Sequence, residues 1–177
     1  MDLIASFSSQ RVRTFQFFKL RGILDDDTLT FLFDTGAAYS VIGINNLIPS
    51  KSNHESDEQL LALEKIIRDE IKKQGVSERA QRLKSANNID IITYPCVSRG
   101  VSIEGSKQTD FYFDLALSDY INLPLLGSNF TDDCNYTHKI NGQIIVSGMK
   151  DSPGAESYYG IKTLDFSGIK KGYIGRS

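Results

Sequence analysis

The chain has two cysteines, two histidines, two methionines and four prolines among 177 residues. Each shortage excludes something. Cys96 and Cys134 alone build neither a disulfide framework nor a metal motif, and they suit a reduced compartment. His54 and His138 are isolated from each other in the sequence, so no metal site is expected. Net charge is only −2, which gives no electrostatic case for nucleic acid or an anionic membrane as partner. No apolar run approaches the roughly 18 residues that a membrane helix needs. Residues 1–7 carry an acid, Asp2, where a signal peptide carries a base, and the chain is read as cytoplasmic. A glycine-rich phosphate loop and a Gly-x-Ser-x-Gly elbow are also missing, and no cofactor is expected.

What is present suits one soluble domain, with 40 % hydrophobic and 24 % charged residues. Residues 13–20 read as a strand, Gly22 and Asp25-Asp26-Asp27 as a solvated hairpin turn, and 28–33 as the returning strand. From 55 to 73, Leu60, Leu63, Ile67 and Ile71 recur at helical spacing. Glu64 with Arg68 adds an i,i+4 pair, Ser56 with Gln59 resembles a capping box, and Gly75 is a stop signal. Residues 76–84 fit helix and strand equally. Strands return over 89–97, 100–103 and 110–117, with turns at Ser98-Arg99-Gly100 and Glu104-Gly105-Ser106, and a short strand follows at 144–146. From about Gly148 the chain is rich in Gly, Ser and Lys with little periodicity, and a loosely packed, flexible extension over 148–177 is expected.

The apolar strand Leu29-Thr30-Phe31-Leu32-Phe33 ends on Asp34-Thr35-Gly36-Ala37, and Tyr39-Ser40-Val41-Ile42 follows. An acid placed straight after a buried strand loses solvation, a cost that often marks chemistry. Downstream stand a turn-bearing hairpin over 85–94 and Leu125-Leu126-Gly127. In this order the three features resemble the retropepsin-like aspartic proteases, the family of retroviral proteases and their cellular and bacterial relatives, over roughly residues 12–147. The sequence departs from the compact family pattern in the helical segment and the C-terminal extension, and it has Asn87-Asn88 where viral members have glycines.

The resemblance implies an all-β, closed retropepsin-like barrel with one inserted α-helix, a protease domain over 1–147, and aspartic endopeptidase activity. It casts Asp34 as catalytic, with Thr35, Gly36 and Ala37 supporting the turn and Leu126 and Gly127 crossing behind it. Ser85, Ala86, Asn87 and Asn88 become a flap over an extended peptide or protein substrate. Tyr94 is given a packing role. Such chemistry needs two carboxylates sharing a proton. Asp165-Phe166-Ser167-Gly168 breaks the spacing and has too little chain after it, so the second aspartate is expected from a second copy, in a symmetric homodimer. Ala37 has no hydroxyl to donate to Asp34, which predicts activity at mildly acidic to neutral pH. Two alternatives are a dimeric binding or assembly module that does not cleave, and a protease domain released from a polyprotein.

Overall fold

The computed structural model describes residues 5–7, 17–48, 53–76, 81–84, 90–103, 108–142 and 144–174. Its strands are β1 (Ala5–Phe7), β2 (Phe17–Arg21), β3 (Thr28–Phe33), β4 (Val41–Gly43), β5 (Gln81–Lys84), β6 (Asp90–Ile103), β7 (Gln108–Ala116), β8 (Leu125–Leu126), β9 (Cys134–His138), β10 (Ile144–Met149) and β11 (Leu164–Asp165). Its helices are α1 (Asn53–Gln74), α2 (Ser128–Thr131) and α3 (Phe166–Ile174).

The strands β6-β2-β3-β8-β4-β7 lie side by side in that order, and β6 pairs again with β7. The six strands therefore close into a barrel, the mainly β fold expected from the sequence. Closure removes the unpaired edges that an open sheet must protect. A smaller sheet, β1-β10-β9, stands beside it. Most neighbours in the barrel are antiparallel, but β3 with β8 and β4 with β7 run parallel. Parallel neighbours need long connections, so these pairings join distant parts of the chain.

Phenylalanines fill the barrel. Phe31 meets Phe111 edge-on at 5.5 Å, and Phe111 stacks on Phe113 at 5.4 Å. Phe130 closes the cluster against Phe111 and Phe18, at 6.0 and 6.2 Å. All five are fully buried. Each such ring adds about 1.5–3 kcal/mol by leaving water. The near-continuous apolar character of 111–115 is explained by burial on both faces, with Tyr112 alone partly exposed.

The turn expected at Ser98-Arg99-Gly100 does not interrupt the chain. β6 runs through it, and the register against β7 shifts between Ser98 and Val101. Gly100, at φ 71°, absorbs the extra residue as a bulge. The turn residues are real signals, but here they bend one strand instead of ending it.

Helix α1 extends beyond the expected 55–73, so Ser56 lies inside its first turn and is not its cap. Leu63, Ile67 and Ile71 bury the expected face, and Arg68 reaches Glu64 at 3.2 Å. The helix stops at Gly75, φ 71°, whose N–H donates to Lys72 O at 3.1 Å while Val76 N–H donates to Ile71 O at 3.0 Å. That pair of bonds is a Schellman stop, which favours glycine at the left-handed position. No helix among the described residues is long and apolar enough to cross a membrane.

The segment after Gly148 differs from the loosely packed extension expected. β11 pairs with β6, Leu164 opposite Cys96, and Leu164, Phe166 and Ile169 are fully buried. Three large anchors in a Gly/Ser/Lys-rich background give no periodicity to read. The Gln74 side chain completes the docking by bonding both the Asp165 N–H and its carbonyl, at 2.8 and 3.0 Å. Arg99 bridges Asp110 at 3.0 Å and Asp165 at 3.1 Å, and Lys170 Nζ donates to Arg99 O at 3.0 Å. Partial burial raises the Asp165 carboxyl, but bonds from Ser167 and the Arg99 charge outweigh it and hold the group below its ordinary value. A carboxylate lowered in this way adds stability above its unfolded pKa of about 3.9, and that stability is lost as pH falls through the folded value. Protection of the α3 amides, measured against their intrinsic exchange rates, is therefore expected to fall below about pH 4. Asp165→Asn should show raised exchange already at neutral pH and a smaller acid step.

Candidate active site

Asp34 leaves β3 at the point where β8 pairs beside it. Leu32 N–H donates to Pro124 O and Asp34 N–H to Leu126 O, both at 2.9 Å. The backbone of Asp34 is thus held by the Leu125-Leu126-Gly127 segment. The chain then reverses over Thr35 and Gly36, with Ala37 N–H donating to Asp34 O at 3.3 Å. Gly36 N–H donates to Asp34 Oδ1 at 2.9 Å. Among the described residues no donor reaches Oδ2. Asp34 and Ala37 are half-buried, whereas Thr35 and Gly36 are exposed. The Thr35 hydroxyl has no partner among the described residues.

The far side of the turn is stitched to α2. Ser128 N–H donates to Ala37 O at 2.6 Å, and Asn129 N–H to Ala38 O at 3.3 Å. Ser40, fully buried, accepts from Gly127 N–H at 3.1 Å and donates to Asn129 Oδ1 at 3.1 Å. Gly127 passes so close that a Cβ there would lie 2.8 Å from Tyr39 N and nearer still to Tyr39 C and O. Only glycine fits such an approach. At Gly36 a Cβ would meet Asp34 Oδ1 at 3.3 Å, a tighter contact than a side chain normally makes.

The four flap candidates, Ser85, Ala86, Asn87 and Asn88, lie outside the described residues. The strands on either side form a hairpin, with Lys84 opposite Asp90 and Gln81 opposite Thr93. Tyr94 packs against the core. Asp165 is engaged with Arg99 and caps α3 by accepting Ser167 N–H at 2.9 Å. In the triple aspartate, Asp25 Oδ1 accepts Asp27 N–H at 2.8 Å, a local turn bond.

A second acid lies outside the motifs that the sequence displays. Asp114 sits in the middle of β7 and is fully buried. Its oxygens accept from Thr93 Oγ1 at 2.7 Å and from the Tyr158 hydroxyl at 2.6 Å. Burial pushes its carboxyl up, while these two bonds pull it down. Burial and the Asp114 charge raise the Tyr158 phenol. Burial, then Asp114, also raises the Cys96 thiol, and burial, then Asp133, pushes Cys134 up to about 12. Both thiols are buried and pushed away from the thiolate form, an environment that suits packing and not nucleophilic attack. The cost of an acid inside an apolar strand, the same signal that marks Asp34, also marks Asp114.

No family model and no curated protein matches the sequence. Among solved structures, the crystal structure of a retropepsin-like aspartic protease from Rickettsia conorii is similar over 80 % of this chain and 88 % of that chain, with a TM-score of 0.43 and 12 % identity.

Proposed function

We propose that the chain is a retropepsin-like aspartic endopeptidase, active as a homodimer in which each copy supplies its own Asp34. The observation that carries this reading is the way Asp34 is held. Its backbone is tied to Leu126 and one carboxylate oxygen to Gly36, while the second oxygen has no donor among the described residues. A carboxylate fixed on one side and available on the other suits proton transfer to and from a bound water.

Peptide hydrolysis then needs one more such group. Two carboxylates about 3 Å apart cannot both ionise, so the pair holds one proton. The ionised member takes a proton from the bound water as the water oxygen attacks the scissile carbonyl carbon. The protonated member gives its proton to the carbonyl oxygen. Collapse of the tetrahedral intermediate breaks the C–N bond as the member that took the water proton gives it to the amine nitrogen and the other member takes one from a hydroxyl of the intermediate, which leaves a carboxylic acid, an amine and the singly protonated pair. Titration belongs to the pair and not to either residue. On this reading the exposed Thr35 bonds across to the second turn, and Leu126 with Gly127 supports the turn from behind. Ser85, Ala86, Asn87 and Asn88 would close over the peptide, with backbone bonds giving affinity and side-chain pockets giving selectivity.

Because the site is incomplete in one chain, cleavage per chain should rise with protein concentration and level off where sedimentation shows dimer. Full activity from a species that sediments as a strict monomer would sink the model.

A further inference from the structure

We propose that Tyr158 is a positioning residue for the Asp34 turn, seated by Asp114 and pressed against Tyr39. The inference rests on reading that turn as half of an active site. Tyr158 ends a short 3-10 turn, Ala155–Tyr158, entered through Gly154 at φ 87°. The base of this turn is fixed. Gly154 N–H donates to Asp133 Oδ2 at 2.7 Å and Ser152 N–H to Thr109 Oγ1 at 3.0 Å.

From that base the phenol reaches inward and is 3 % exposed. Its ring stacks on Tyr112 at 5.5 Å and meets Tyr39 edge-on at 6.4 Å. Its hydroxyl donates to Asp114 Oδ1, and the other Asp114 oxygen accepts from Thr93. Ring and hydroxyl are therefore both fixed. Asp114 joins the phenol to the turn a second time, because its own N–H donates to Ser40 O at 2.8 Å. Tyr39 and Ser40 are the last residues before β4, and Ala38 just ahead of them is bonded to Asn129. One side chain from the C-terminal segment thus braces the end of the turn that begins with Asp34.

A packing role alone would be met by phenylalanine. A buried carboxylate with one of its two donors removed is a different matter, since each unsatisfied lone pair in a dry site loses its compensation for desolvation. The hydroxyl is what lets Asp114 stay where it can hold Ser40. Small losses of turn geometry matter in catalysis, where a displacement of about 1 Å can cost about 100-fold in rate.

The test uses the full chain with Tyr158→Phe and Asp114→Asn, and Tyr159→Phe as control, since Tyr159 is 74 % exposed. Amide exchange is measured at Ala37, Gly127, Ser128 and Asn129, and at Phe18 and Phe31 in β2 and β3. In Tyr158→Phe the first group should exchange at least about tenfold faster while the second is unchanged, the mark of a local opening. Peptide cleavage should lose kcat with KM little altered, and Tyr159→Phe should match the native protein. Unchanged exchange in the turn, or equal acceleration at all sites, would overturn the proposal. Faster exchange confined to the turn in Tyr158→Phe, together with a native protein that cleaves no peptide, would support the bracing and refute the active-site reading instead.

Discussion

On the proposed homodimeric endopeptidase reading, Asp34→Asn is expected to leave a folded chain that no longer cleaves peptides. The side chains have nearly the same shape, and Asn Oδ1 can still accept the Gly36 N–H that now binds Asp34 Oδ1 at 2.9 Å. The turn's other bonds, from Asp34 N–H to Leu126 and from Ser128 N–H to Ala37, involve backbone alone. Stability should therefore change by less than about 1 kcal/mol, as for a substitution away from any core or cap. Chemistry is another matter. An amide neither takes a proton from water nor carries one to a carbonyl oxygen, and in a homodimer both members of the pair are lost together. General acid and general base each contribute about 10²–10⁴-fold, and groups acting as a unit fail as a unit. A fall in kcat/KM of at least about 10⁴-fold is the expected result. The measurement is a peptide library digested by both proteins, with a statine-type inhibitor on the native one. Cleavage surviving the substitution would remove Asp34 from the mechanism.

Gly127→Ala should have the largest effect on stability. The added Cβ would fall 2.8 Å from Tyr39 N and closer to Tyr39 C and O, all of them backbone atoms. A flexible neighbour can move aside, but this stretch is bonded on both sides of the contact: Ala38 O to Asn129 N–H, and Ser40 O to Asp114 N–H. Relief requires the crossing strand and the turn to separate. That would break the bonds between Ser128 and Ala37 and between Gly127 and Ser40. Overpacking with displaced backbone costs about 3 kcal/mol or somewhat more, a large part of a domain's typical 5–15 kcal/mol. A drop of that size in urea-unfolding free energy is expected, with turn amides exchanging faster than those of β2. Gly36→Ala, with its nearest contact at 3.3 Å to a side-chain oxygen, should cost much less.

These contrasts also show where the sequence was legible. The turn at Asp34, the strand before it, the hairpin partner and the Leu125-Leu126-Gly127 segment all carry local signals: apolar alternation, glycine at a close approach, an acid after a buried run. Helix α1 was equally plain, because Leu63, Ile67 and Ile71 repeat at one spacing. The C-terminal segment was misread for a physical reason. Its order depends on Tyr158, Leu164, Phe166 and Ile169 meeting partners distant in the sequence, and scattered anchors leave no period. The bulge at Gly100 was misread because the same residues serve a turn or a kink, and only the partner strand decides which. Asp114 was legible in principle, as a lone acid among aromatics. Its donors, Thr93 and Tyr158, come from other parts of the chain and could not be assigned.

The parallel pairing of β3 with β8 sets an order of events during synthesis. Leu32 and Phe33 lie opposite Leu125 and Leu126, so the strand before Asp34 gains this neighbour only after most of the chain has been made. Contacts between such distant residues form late, because a long loop must close first. A nascent chain that has emerged as far as Phe113 carries the whole tetrapeptide and nothing to hold it from behind. Until β8 follows, Asp34 lacks the bond that its N–H makes to Leu126 O and the close crossing of Gly127 against Tyr39. The barrel acts as a timer: the turn is drawn into shape only when Leu126 and Gly127 arrive.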